Sequence, residues 1–123
     1  MAARKKILLV DDDDIIVNLL SHRLSGLYEV ESTTNPRAAL RLARAQRPDL
    51  VLCDIDMPGM SGGDLAYAMS REPALAGIPI LYLTGIVSLE EVHDLDGMLG
   101  GRPGVSKQAP LPELIARIDA VAH

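Results

Sequence analysis

The chain has 123 residues, 48% of them hydrophobic, a net charge of −5, one cysteine, and no Trp or Phe. That is one domain with enough apolar content for a core built from Ala, Leu, Ile and Val. The acidic balance argues against nucleic-acid binding. The single cysteine excludes an internal disulfide and a multi-cysteine zinc site. No apolar run approaches the roughly 20 residues of a membrane helix, and the start is too briefly apolar for a signal peptide. A cytoplasmic domain is expected, with no membrane or nucleic-acid partner and residues 1–5 as a flexible tail.

Ile7 to Val10 is a continuous apolar run of strand length, as expected for a strand buried on both faces. Ile15, Ile16, Leu19, Leu20 and Leu24 then recur at helical spacing, with Asp13 or Asp14 as cap and Gly26 as terminator. Tyr28 to Ser32 reads as a less buried strand. Asn35-Pro36 opens a helix with Ala39, Leu40 and Ala43 on its apolar face. Arg37, Arg41, Arg44 and Arg47 lie on its other side, and Pro48 stops it.

Leu50 to Cys53 is the third strand. Met57 to Gly63 has the composition of a loop, and a helix follows over Asp64 to Ser70. Pro79 to Leu83 is the fourth strand. Ser88-Leu-Glu-Glu91 has the pattern of a helix start, and glycines crowd the stretch from Gly97 to Gly104. A short fifth strand is expected around Gly104 to Ser106, and a last helix over Pro110 to Val121. Five strand–helix alternations predict a parallel sheet with helices on both faces. In such sheets ligands bind beyond the carboxyl ends of the strands.

Those ends carry a coherent set. Asp11 to Asp14 follow the first strand, Asp54 and Asp56 the third, Thr84 the fourth, and Lys107 the fifth. Clustered carboxylates repel one another unless a cation joins them, and Mg²⁺ suits an all-oxygen site that keeps water. An aspartate can attack phosphorus, while a hydroxyl and an ammonium contact the phosphoryl oxygens. Taken singly, each residue has a plainer reading. The aspartate run can complement a helix dipole, Asp54 can sit in a turn, and Lys107 can be solvated. Yet nine of the twelve basic residues are Arg, and the other two lysines lie in the tail.

The stretches Lys6–Asp14, Pro48–Gly62 and Pro79–Gly85 resemble the response-regulator receiver domain of two-component signalling, in its stand-alone, chemotaxis-type form. The resemblance spans essentially the whole chain, residues 1–123, and leaves no room for an effector domain. It implies a flavodoxin-like, doubly wound (βα)5 fold with a five-stranded parallel sheet in order 2-1-3-4-5. It implies Asp54 as phosphoacceptor, with Thr84 and Lys107 contacting the phosphoryl group. Asp11, Asp12, Asp54 and the backbone carbonyl of Asp56 would hold Mg²⁺. The implied partners are a sensor histidine kinase or histidine phosphotransfer protein and an output protein. Such a domain is a phosphoacceptor rather than an enzyme, although it promotes its own phosphorylation and dephosphorylation.

Two positions depart from the family pattern. Gln108 follows Lys107 where the family usually has proline after a cis bond, so a trans bond and a displaced lysine are expected. Gly104 stands where the family usually has a switch aromatic. Two alternatives follow: a receiver-like interaction module that works without phosphorylation, and a phosphatase of the haloacid-dehalogenase type. The second rests on the likeness of Asp54-Ile-Asp56 to that family's nucleophile motif.

Overall fold

The computed structural model describes residues 4–55, 57–85, 98–99 and 102–122. Its elements are β1 (Lys6–Val10), α1 (Asp14–Leu24), β2 (Glu29–Thr33), α2 (Pro36–Gln46), β3 (Leu50–Asp54), α3 (Gly62–Ser70), β4 (Ile80–Thr84), β5 (Met98–Leu99), β6 (Arg102–Ser106) and α4 (Leu111–Val121). The helix expected from Ser88 lies outside the described residues.

Five parallel strands run in the order β2-β1-β3-β4-β6, the doubly wound order expected. The fifth parallel strand is β6 because the two-residue β5 precedes it and pairs with it antiparallel, Met98 opposite Pro103. Alternation explains the unbroken apolar runs. Ile7, Leu9, Leu50, Leu52, Leu81 and Leu83 face one core, with Leu20 and Leu24 of α1 and Leu114 and Ile118 of α4. Leu8, Val10, Val51, Cys53, Ile80 and Tyr82 face the other, with Ala39 and Ala43 of α2 and Leu65 and Met69 of α3. A strand covered on both faces has no polar side to show.

The helix starts follow local chemistry. Asp13 caps α1 by accepting from the Ile15 amide, and Asn35 caps α2 by accepting from that of Arg37. Ser61 caps α3 in a reciprocal box with Asp64, so α3 begins two residues earlier than expected. The signal was present as Ser61-x-x-Asp64, but Gly62-Gly63 inside it read as loop. Gly62 is required by contact rather than flexibility, because a Cβ there would stand 2.6 Å from the Asp54 carbonyl oxygen.

Two expectations about α1 are corrected, and the end of α2 falls just before Pro48 as expected. α1 buries Val17, Leu20 and Leu24, whereas Ile15 and Leu19 are exposed. The apolar residues of α1 are spread too widely for one face to bury them all. α1 ends at Leu24 with Ser25 as its cap, in αR conformation, before Gly26 is reached. Arg47 closes α2 in the left-handed conformation, φ 46°, ahead of Pro48.

Candidate functional site

Strand register builds the site. Val10 pairs with Cys53, Asp54 with Leu83, and Thr84 with Ser106, so Asp11, Asp54, Thr84 and Lys107 reach one edge of the sheet. The Lys107 amide donates to the Thr84 carbonyl at 2.9 Å, which ties the loop after β6 to the end of β4. Asp11, Asp54 and Thr84 are buried, whereas Asp12 is exposed.

The four consecutive aspartates do four different things. Asp11 accepts from the Asp13 amide through Oδ1 at 3.0 Å and pairs with the Lys107 ammonium through Oδ2 at 2.8 Å. Asp12 turns its carboxylate toward those of Asp11 and Asp54. Asp13 caps α1, and Asp14 lies in its first turn. The plainer reading of the run as a helix N-terminus therefore holds for its second half only.

One carboxylate oxygen from each of Asp11, Asp12 and Asp54 lies within 4.8 Å of the others. Three hard oxygen donors at that spacing fit a hard divalent cation. Lys107 Nζ also stands 3.3 Å from Asp54 Oδ1, so one ammonium bridges two of the three. Burial lowers the pKa of Lys107, but hydrogen bonding and charge attraction from Asp11, then Asp54, outweigh it and leave the pKa raised. The expected displacement of Lys107 is thus corrected. No peptide bond among the described residues is cis, so Lys107–Gln108 is trans as expected, yet the lysine still reaches the pocket. With the following bond trans, its long stem still carries the ammonium to Asp11 and Asp54.

Asp56 lies outside the described residues. Cys53, one residue before Asp54, is a buried thiol pushed up to about 12 by desolvation and by the charges of Asp54 and Asp11. That leaves it a core residue without thiolate chemistry.

Residues 7–119 match the family described as response regulator receiver domain. The chain belongs to this family. It is 33% identical over 120 residues to the alkaline phosphatase synthesis transcriptional regulatory protein PhoP of Bacillus subtilis, covering 95% of this chain and 48% of that protein. It is 33% identical over 122 residues to the DNA-binding response regulator MtrA of Mycolicibacterium smegmatis, covering 95% of this chain and 50% of that one. The receiver thus spans about half the length of these curated relatives. Among solved structures, chemotaxis protein CheY4 of Vibrio cholerae matches with a TM-score of 0.81 and 31% identity, over 97% of this chain and 99% of that one. A response regulator from Desulfuromonas acetoxidans matches with a TM-score of 0.77 and 27% identity, over 94% of both chains. The fold is accordingly the flavodoxin-like one of the receiver family. Among the described residues, no helix is long and apolar enough to cross a membrane.

Proposed function

We propose that this receiver takes a phosphoryl group on Asp54 in a Mg²⁺-dependent reaction. The observation that carries the reading is the convergence of the Asp11, Asp12 and Asp54 carboxylates with the Lys107 ammonium at the end of β3. An Asp54 oxygen attacks phosphorus, the bond from phosphorus to the donor histidine nitrogen breaks, and that nitrogen keeps the electron pair. Bound Mg²⁺ would supply charge neutralisation for the phosphoryl oxygens. Asp11, Asp12 and Asp54 would hold it, with the backbone carbonyl of Asp56 completing the protein ligands. Lys107 exchanges its contact with Asp54 for one with a phosphoryl oxygen, and the Thr84 hydroxyl donates to another.

The phosphodonor is a sensor histidine kinase or histidine phosphotransfer protein in the cytoplasm, and the output is a protein contact. The domain is a phosphoacceptor rather than a turnover enzyme, although its own side chains assist both phosphorylation and loss of the group. The family match over residues 7–119 weighs against the phosphatase alternative, whose motif here follows the third strand of a receiver. One observation favours a module that works without phosphate: Gly104, opposite Tyr82 on β4, has no side chain to move. Incubation with acetyl phosphate and Mg²⁺, followed by intact-mass measurement, tests the reading. A phosphoryl adduct that needs Mg²⁺ and Asp54 supports it, and no adduct on folded protein overturns it.

A further inference from the structure

At the amino edge of the sheet, opposite the aspartate pocket, Arg4, Lys5, Lys6 and Arg47 gather, with Glu29 and Asp49 beside them. Arg4, Lys5 and Lys6 enter β1 beside the end of α2, and with Gln46, Arg47 and Asp49 they line one open cleft. The basic surface continues along α2, where Arg37, Arg41 and Arg44 repeat at i, i+4 and i+7 on one exposed stripe. α2 carries no acidic residue over its 11 positions, a length of about 16 Å.

Part of this charge is met within the chain, Arg44 by Glu72 and the Lys6 edge by Asp49 and by Glu29 opposite it on β2, whereas Arg37, Arg41 and Arg47 make no ion pair among the described residues. Ion pairs among the described residues are confined to Arg44 with Glu72 and Lys107 with Asp11 and Asp54. Arg4 donates instead to the Ser25 carbonyl at 3.0 Å, and Lys5 to the Ala122 carbonyl. A neutral acceptor fixes a cation in place without cancelling its charge. Two local features run against helix stability. Arg37 stands in the first turn of α2, where a cation opposes the dipole and no acid balances it. Arg47 takes a left-handed conformation that glycine adopts more easily. On a chain of net charge −5, these exposed cations form a local positive surface that an external anionic partner can complement.

We propose that this belt, from Arg4–Lys6 along α2 to Arg37, docks an extended acidic segment of a partner protein. Carboxylates spaced along such a segment can meet Arg37, Arg41 and Arg47 in turn. A compact phosphate ligand fits less well. The cleft is open and shallow, its lining has no aromatic ring, and no helix N-terminus is presented to it, so nothing there encloses a small anion. A long nucleic acid would meet repulsion from the acidic remainder of the chain.

The test titrates the full chain with a labelled peptide of about ten glutamates, long enough in extended form to run along α2. Saturable binding at low salt that weakens as salt rises is expected, with amide shifts confined to residues 4–6 and 37–49. The variant Arg41→Glu/Arg47→Gly should bind about tenfold more weakly or worse. It should also fold, because Glu at 41 gains Arg37 and Arg44 as helical neighbours and Gly suits the left-handed cap. Arg41→Gln removes charge only and should give a smaller loss. Absence of saturation, undiminished binding by the variants, or shifts centred on Asp11–Asp14 would overturn the proposal. So would tighter binding of a single-stranded oligonucleotide of equal charge, or binding that disappears with self-association of the chain.

Discussion

The Lys107 ammonium lies 2.8 Å from Asp11 Oδ2, and the Asp11 side chain it meets is fully buried while its own is 15% exposed. A receiver pocket needs its carboxylates close together, and in this chain a lysine from the far end of the sequence holds two of them.

Lys107→Ala should therefore cost stability as well as phosphotransfer. Removing one partner of a fully buried pair costs about 3–5 kcal/mol, and the partial exposure of Lys107 reduces this to about 2–3. The raised pKa fixes the pH dependence. The stabilisation is fully present below the unfolded lysine's ordinary value of 10.5 and is lost as pH rises through the higher folded value. Denaturant unfolding of wild type and variant should show a constant gap at neutral pH that closes at strongly alkaline pH. A gap that widens with alkalinity would contradict the ion pair as its source.

Asp54→Asn should abolish phosphorylation and leave the fold intact. The amide is isosteric but not nucleophilic. Its introduction relieves repulsion from Asp11 and Asp12 while weakening the 3.3 Å contact with Lys107. These effects oppose each other, so stability should stay within about 1 kcal/mol of wild type. Intact-mass measurement after acetyl phosphate treatment reads the first outcome and thermal melting the second.

Alanine at Asp12, Asp13 and Asp14 should separate three roles. Asp12→Ala should weaken Mg²⁺ binding most, because only its carboxylate joins those of Asp11 and Asp54. Asp13→Ala should instead cost about 1 kcal/mol through loss of the cap to Ile15. Asp14→Ala should cost a few tenths, roughly the worth of a first-turn acid. Mg²⁺ titration and melting curves on the same three proteins check the assignment, and equal cation losses would mean a diffuse acidic surface.

Gly62→Ala should destabilise the chain by about 1–3 kcal/mol, since the new methyl meets backbone rather than a movable side chain. The atom it strikes is the carbonyl oxygen of Asp54, so phosphorylation should slow as well. Gly63→Ala, whose nearest atom is the Ser61 hydroxyl at 3.6 Å, serves as the control and should phosphorylate normally.

Coupling from Asp54 to the surface of β6 and α4 should be weak. Gly104 presents no side chain beside Tyr82, so motion of Thr84 has no ring to drive on that strand. Amide shifts on β6 and α4 with beryllofluoride should be small next to those beside Asp54. Shifts of equal size on both would show that the missing aromatic is dispensable.

The alternation of apolar runs with helical patterns was enough to specify a doubly wound parallel sheet, because burial on both faces leaves a mark in each strand separately. The strand ends likewise pointed to Asp11–Asp14, Asp54, Asp56, Thr84 and Lys107, since topology sends those positions to one edge, and the resemblance narrowed the aspartate run to Asp11 and Asp12. Other features were hidden for identifiable reasons. Helical spacing limited the cap of α1 to Asp13 or Asp14, but only the direction in which the chain leaves β1 decides between them and buries Asp11 while Asp12 stays exposed. Ile15 and Leu19 matched helical spacing as well as Val17 and Leu20, and the seat of α1 on the sheet chose between them. Gly62 looked like flexible loop until the approach of α3 to the Asp54 carbonyl showed that a side chain had no room. Local patterns record what each segment can do, whereas distances such as that from Lys107 to Asp11 depend on packing between segments far apart in the chain.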